Sequence, residues 1–227
     1  MTQNLRILTW NLFHGRAVPP AGRNLLPEFT EHIAAWDWDV ALLQEVPPWW
    51  PEPVARAAGA EQRTVLTSRN ALLPLRRALA ERWPDVIKSN GGGANAILVR
   101  GQHAITAHRH ERLRRRPERR MVHGVRLDDG TWIANLHAQV RPHSETRIDL
   151  ARAGAAAHTW AGTAPAILGG DCNVPDPAID GFARLGGRGV DHVLGRGFTS
   201  ERRPEIPNRD ALSDHAAVIV DVRREHG

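Results

Sequence analysis

Six short apolar runs in this chain each meet an amide, a carboxylate or an imidazole that the apolar pattern does not explain. Asn11 follows Ile7-Leu8-Thr9-Trp10, Glu45 follows Leu42-Leu43-Gln44, and His137 follows Ile133-Ala134-Asn135-Leu136. Asp171 and Asn173 follow Ile167-Leu168, Asp191 follows Val190, and Asp214-His215 opens the last apolar run. Short apolar runs bounded by turn residues read as buried strands. One polar residue at such an end is ordinarily a solvated terminus. Six in one chain form a constellation, because ligand and catalytic groups gather where strand ends converge.

The run Ile167-Leu168-Gly169-Gly170-Asp171-Cys172-Asn173 carries the most chemistry. Residues i and i+2 of a strand share a face. Asp171 and Asn173 can therefore point into one cleft, with Cys172 turned into packing. The two glycines let the backbone turn tightly or let a substrate approach. A carboxylate beside an amide can hold and deprotonate a water. The same residues also suit an ordinary strand-end turn, and this run alone does not separate the two readings.

The rest of the chain reads as strands mixed with helices. Strands are predicted over 6–12, 40–46, 63–67, 94–99, 104–113, 120–127, 132–137, 164–170, 190–194 and 215–222. Helices are predicted over 25–36, 71–83 and 144–160, with a short one after Trp50 and Ser144 as N-cap of the third long one. Asp128-Asp129-Gly130 marks a hairpin turn. No repeat or long linker interrupts the pattern, so residues 1–227 are expected to form one domain, with two sheets packed between helices.

Composition excludes several classes. No stretch approaches the ~18 apolar residues of a membrane span, so no membrane insertion is expected. The N-terminus lacks the basic-then-apolar layout of a secretory signal. A single cysteine rules out an internal disulfide and a multi-cysteine zinc site. A cytoplasmic monomer with no protein partner is the default expectation. The net charge of +5 is almost all arginine, since Lys88 is the sole lysine. Tyrosine is absent as well, and both absences fit a GC-rich genome. The arginine excess is therefore a weaker sign of nucleic-acid binding than the charge suggests.

In their order along the chain, TWNL at Asn11, LLQEV at Glu45, ANLHAQ at His137, GGDCN, VDHVL at Asp191 and LSDH at the end resemble the endonuclease/exonuclease/phosphatase superfamily of deoxyribonuclease-like phosphoesterases. The resemblance spans nearly the whole chain. It implies an α/β (α+β) fold, a four-layer α/β/β/α sandwich of two mixed, mainly antiparallel sheets flanked by helices. It also implies phosphoester hydrolysis with Mg²⁺ or Mn²⁺, ions suited to oxygen ligands. On it, Glu45, Asn11 and Asp214 are the expected metal residues. Asp171 would orient or deprotonate the attacking water, with Asn173 helping to position it. Asp191 would pair with His215, which would stabilise charge on the phosphorane, and His137 would donate to a phosphate oxygen. Arg120, with Arg119 as its rival, matches a phosphate-contacting arginine. Asn95, in GANAILVR, is a further cleft candidate.

Other features have two readings each. The segment from Arg109 to Arg120 holds seven arginines, two glutamates and one proline, and reads as a phosphate-contact surface or as a solvated charged loop. Trp49-Trp50 could stack on a base or fill an apolar niche. His14 could reach the cleft or stay solvated. His192, next to Asp191, points the other way on a regular strand and reads as packing. The Gly91-Gly92-Gly93 loop could admit a substrate but lacks P-loop spacing.

The absence of tyrosine departs from abasic-site endonucleases of the superfamily, which use one. The short chain leaves little room for the loops of large lipid or inositol-phosphate phosphatases. A nuclease acting on DNA or RNA is the leading expectation. A phosphatase or phosphodiesterase for an inositol phosphate or sphingomyelin-type ester is the alternative, and a non-catalytic nucleic-acid binder ranks last.

Overall fold

Strand alternation sorts the side chains into layers. In a computed structural model, which describes residues 4–68, 70–83, 85 and 93–225, Leu8 and Trp10 of the first strand face helices while Ile7 faces a second sheet. The chain forms β1 (Asn4–Asn11), a 3₁₀ turn (Phe13–Gly15), α1 (Leu26–Ala35), β2 (Val40–Val46), α2 (Pro51–Ala57), β3 (Ala60–Leu66), α3 (Leu73–Arg82) and β4 (Ala94–Arg100). There follow β5 (Ile105–Arg114), β6 (Arg120–Leu127), β7 (Trp132–His137), α4 (His143–Ala161), β8 (Ala166–Asp171), β9 (Ala183–Arg188), β10 (Asp191–Arg196), β11 (Phe198–Thr199) and β12 (Val218–Arg224). No described helix is long and apolar enough to cross a membrane.

Two six-stranded sheets result, ordered β11-β12-β1-β2-β4-β3 and β5-β6-β7-β8-β10-β9. Each has one parallel pair, β1 with β2 and β7 with β8, among antiparallel neighbours. The expected four-layer sandwich is therefore the observed one. Phe29 and Ile33 of α1 and Val54 of α2 pack on the outer face of the first sheet. Leu150, Ala153 and Ala157 of α4 pack on the outer face of the second. Ile7, Val40, Leu42 and Ile97 meet Val125, Ile133, Ile167 and Val193 between the sheets. Burial of these side chains, worth roughly 1.5–3 kcal/mol each, fixes which strand ends lie side by side.

Several details differ from the sequence reading. Helix α4 begins one residue earlier than predicted, with Pro142 at its N-cap and Ser144 inside its first turn. Strand β9 was not predicted, because Ala183-Arg184-Leu185-Gly186-Gly187-Arg188 has the glycine content of a turn. Gly186 is needed there: a β-carbon would lie 2.9 Å from Pro204 and Val220. The glycines before Asp171 serve packing. A β-carbon on Gly169 would sit 2.8 Å from Leu42 Cδ1 of the facing sheet, and Gly170 has φ +133. Of the Gly91-Gly92-Gly93 loop, Gly91 and Gly92 lie outside the described residues.

Candidate active site

Register brings the polar strand ends together. Asp171 lies opposite His137 on β7 and opposite Asp191 on β10. Asn11, at the end of β1, pairs with Gln44 of β2. Asp171 Oδ2 is the point of convergence. It accepts a hydrogen bond from Asn11 Nδ2 at 3.0 Å across the sandwich. His137 Nε2 stands 3.4 Å away and His215 Nε2 3.9 Å away. Its other oxygen accepts the Asn173 backbone N–H at 3.0 Å.

Glu45 reaches this group through a break in strand geometry. Gln44 and Glu45 are adjacent, so a regular strand would turn them to opposite faces. The β2–β4 register shifts between Leu43 and Val46, and Glu45 adopts the left-handed conformation at φ 50. A bulge of this kind re-aims a side chain. Glu45 Oε1 comes within 3.8 Å of His137 Nε2, and its Oε2 lies 3.1 Å from His14 Nε2. A small cavity here is lined by His14, Glu45, Arg119, Arg120 and His137, with Thr67, Ser68, Gly93 and Glu118.

Burial and charge set the protonation states. Burial raises the Asp171 carboxyl and Asp191 adds to the rise; His215, Asn11 and the Asn173 N–H oppose it, leaving it at about 7. Burial lowers the His215 imidazole, but Asp191 accepts its Nδ1 hydrogen bond at 2.8 Å and, with Asp171 and Asp214, raises it to about 9. His215 is therefore an imidazolium at neutral pH. His137 is the opposite case: burial, then the charges of Arg120, His215 and His14, push it well below the usual range, so it is neutral. Burial raises Glu45, and nearby Asp214 adds to this, against Arg120, His215 and a hydrogen bond with Asn11.

The remaining candidates fall into place unevenly. Arg120 is buried, pairs with Glu118 at 2.9 Å and lines the cavity. Arg119 lines it too, but donates to Thr67 O and Ser68 Oγ. Asn173 does not continue the strand. It is left-handed at φ 52, and its amide donates to Ala138 O at 2.9 Å. Cys172 is buried in packing, as alternation predicts. Asn95 is buried between the sheets; it donates to Met121 O at 3.4 Å, and its Oδ1 has no partner among the described residues. Asp214 is exposed at 45% and lies 3.9 Å from His215 Nε2. Trp49 is not among the cavity-lining residues: it packs against the α1–α2 core with Arg77 over its ring at 5.9 Å. Trp50 is core. His192 is buried, with Nε2 on Gly189 O at 3.0 Å.

The arginine run divides. Arg114 is internal and clamps Asp149 and Glu145 of α4 at 2.8 and 2.6 Å. Arg109, Arg112, Arg115 and Arg116 are exposed, the last two on the β5–β6 connection that leads to Glu118–Arg120.

Among the described residues, Asp171, Asp191 and His215 offer three ligand atoms within 4.8 Å of one another. The Asp191–His215 contact already has its own cause in a charge-assisted hydrogen bond. The Glu45, Asn11 and Asp214 set offers oxygen donors: Asn11 hydrogen-bonds Glu45 and the Asp214 charge raises its carboxyl, an arrangement in which a cation lowers the energy. The residues present thus fit a hard divalent ion.

This sandwich, with these groups at one edge, defines a hydrolase that acts on phosphoesters. The chain belongs to the endonuclease/exonuclease/phosphatase family, whose sequence model matches residues 8–215. Solved structures share the fold. An endonuclease/exonuclease/phosphatase family protein from Bacteroides thetaiotaomicron is 16% identical, with TM-score 0.73 and full coverage of both chains. TDP2 from Caenorhabditis elegans is 15% identical, covering 97% of this chain and 74% of that one, with TM-score 0.66. A mannosyl-6-phosphatase from B. thetaiotaomicron is 14% identical, covering 96% and 98%, with TM-score 0.68. Among curated protein sequences nothing matches.

Proposed function

We propose that this protein, residues 1–227 acting as one unit, is a divalent-metal-dependent nuclease that hydrolyses phosphodiester bonds of DNA or RNA. The observation that carries the reading is the convergence of Asn11, His137 and His215 on one oxygen of Asp171. Asp171, itself held by the hydrogen bond from Asn11 Nδ2, accepts the proton of the attacking water. Asn173 supports that geometry by donating its backbone N–H to Asp171. Asp191 fixes His215 as an imidazolium aimed at the phosphoryl oxygens, where negative charge grows in the transition state. His137, neutral, donates to a second oxygen, and the Arg120 guanidinium offsets charge from the Glu118 side. Glu45, Asn11 and Asp214 are the residues that would hold Mg²⁺ or Mn²⁺. When bound, such an ion polarises the phosphoryl oxygen and offsets its charge.

The exposed Arg115 and Arg116, on the β5–β6 connection that leads to the cavity-lining Glu118, Arg119 and Arg120, support a polynucleotide as substrate, through backbone-phosphate contacts. Asn95, its Oδ1 unpaired among the described residues, is a substrate-facing candidate. Trp49, packed under Arg77, has the weakest claim to substrate.

A second reading, a phosphatase for a small ester, is favoured by the confined cavity at Glu45 and Arg120. The test is a panel of single- and double-stranded DNA, RNA, an aryl phosphodiester, sugar phosphates and inositol phosphates, each with Mg²⁺ and Mn²⁺. Nuclease activity abolished by Asp171→Ala and His215→Ala is expected. Activity that survives both substitutions removes the site assignment. Cleavage confined to the small esters replaces the nuclease reading with the phosphatase one. Polynucleotide binding should also weaken steeply as salt rises.

A further inference from the structure

The chain spends backbone energy to bring one more side chain to Glu45. Phe13 and His14 are consecutive non-glycine residues in the left-handed region, at φ 49 and φ 54, and Gly15 follows at φ 76. The left-handed conformation costs roughly 1–2 kcal/mol for each residue with a β-carbon. Such strain persists only where surroundings over-determine it, and it gathers at functional sites.

Here the surroundings are specific. Phe13 N–H donates to Asn11 Oδ1 at 2.9 Å, and Gly15 N–H to Leu12 O at 2.8 Å. The Arg16 guanidinium lies over the Phe13 ring at 4.1 Å. The Trp50 ring fills the space beside Gly15, where a β-carbon would come within 2.3 Å of it. Leu12 N–H donates to Gln44 O at 2.9 Å, tying the turn to the residue before Glu45. Glu45 is itself left-handed. Two strained elements are thus locked together, and they place His14 Nε2 3.1 Å from Glu45 Oε2.

We propose that His14 Nε2 is a ligand of the divalent cation held at Glu45, so that the site adds an imidazole to its oxygen donors and prefers Mn²⁺ to Mg²⁺. The inference rests on the reading of Glu45 as a metal residue. The separation suits it: adjacent ligands of an octahedral ion, each at about 2.1 Å, lie about 3.0 Å apart. The donor chemistry decides the metal. Carboxylate, carbonyl and water oxygens suit both ions, whereas an imidazole nitrogen favours a transition metal over Mg²⁺. A histidine that only neutralised Glu45 would need no strained turn, since a long flexible basic side chain could reach it from an ordinary loop.

The experiment uses the full chain stripped of metal and titrated with Mn²⁺, followed by loss of the free-ion electron paramagnetic resonance signal. Mg²⁺ is measured by competition, and pulsed spectra read nitrogen coupling to bound Mn²⁺. The wild-type protein should show nitrogen coupling. His14→Ala and the larger His14→Gln should lose it, and their Mn²⁺ dissociation constants should rise by at least about 10–100-fold, since disturbing even the groups that support a metal's ligands costs that much. Their Mg²⁺ affinity should fall less. Absence of nitrogen coupling in the wild type overturns the proposal without recourse to any variant. So does coupling that survives His14→Ala, which would assign the nitrogen elsewhere, or an equal loss of both metals, which would make His14 a positioning residue for Glu45. Glu45→Gln separates the two levels: if it binds Mn²⁺ as tightly as wild type, the Glu45 reading itself falls and takes the proposal with it.

Discussion

Two polar groups lie within one or two residues of each other on the same strands, and they behave differently. Thr9, Gln44 and Asn135 sit deeper between the sheets; Asn11, Glu45 and His137 sit at the edge. The deep group is neutral and knitted together. Gln44 Nε2 donates to Leu42 O, Asn135 Oδ1 and Thr9 Oγ1 at 2.8, 2.9 and 3.3 Å. Asn135 Nδ2 donates to Leu43 O and Ala96 O, both at 2.9 Å, next to the point where the bulge shifts the β2–β4 register. The edge group faces charge: burial raises the Glu45 carboxyl and lowers the His137 imidazole, beside Asp171 and His215. A buried network that is nearly saturated rigidifies a core. Perturbed titration gathers where chemistry is done. The difference teaches that the inner layer is a brace for the bulge that turns Glu45 into the site.

The largest expected effect comes from the edge. Asp171→Asn keeps the size of the side chain and its contact with Asn173 while removing the acceptor for the water's proton. Turnover of whichever ester the panel identifies should fall by about 10²–10⁴-fold. The melting temperature should stay level or rise, because an acid that burial disfavours has been replaced by a neutral group. A melting temperature lowered along with activity would make Asp171 part of the brace and break the comparison.

The brace should respond in the other sense. Asn135→Leu removes both amide donors and leaves Leu43 O, Ala96 O and the Gln44 amide short of partners. A buried group stranded in this way costs about 1–3 kcal/mol. For a chain of this size each 1 kcal/mol lowers the melting temperature by about 2–4 °C. Thermal denaturation should record that drop, while activity well below the transition should suffer far less than in Asp171→Asn. Catalysis lost as completely as in Asp171→Asn, at an unchanged melting temperature, would move Asn135 into the chemistry.

The same contrast explains what could be read in advance. Strands β2, β6 and β7 appear in the sequence at their observed bounds, because Val40–Val46 and Trp132–His137 are mostly apolar runs with clear ends and Arg120–Leu127 stops at the Asp128-Asp129-Gly130 turn. The polar termini could be picked out because a carboxylate or imidazole closing an apolar run has no packing reason to be there. The mode of their assembly could not. Alternation puts Gln44 and Glu45 on opposite faces, and only the left-handed backbone at Glu45 overrides it. Asn173 was expected in the cleft by i, i+2 spacing, yet the strand stops at Asp171 and its amide binds Ala138 O instead. His14 carried a weak signal, since a Phe-His-Gly triplet gives no hint of two left-handed residues in succession. The role of Arg114 is hidden in the arginine run, because composition does not tell a clamp on α4 from a solvated charge, whereas Arg120 stands out only through the family resemblance, and it lines the cavity.

The smallest effect tests how far the neutral layer extends. His123 lies opposite Asn135 on β6 and is fully buried, with Nδ1 3.3 Å from His108 Nε2. Burial, then His108 and His110, lowers its pKa well below the usual value. His108 is lowered by burial, His110 and Arg63. Both are therefore neutral in the fold at neutral pH and protonate more readily when it opens. The unfolded chain binds more protons below about pH 6.5, so stability is complete above that value and declines as pH falls toward the lowered folded pKa. His123→Leu removes one of these groups. Its melting temperature should fall less between pH 7.5 and pH 5 than that of the wild type, measured by thermal scans in matched salt. An identical fall in both proteins would take His123 out of the acid response and end the neutral layer at Asn135.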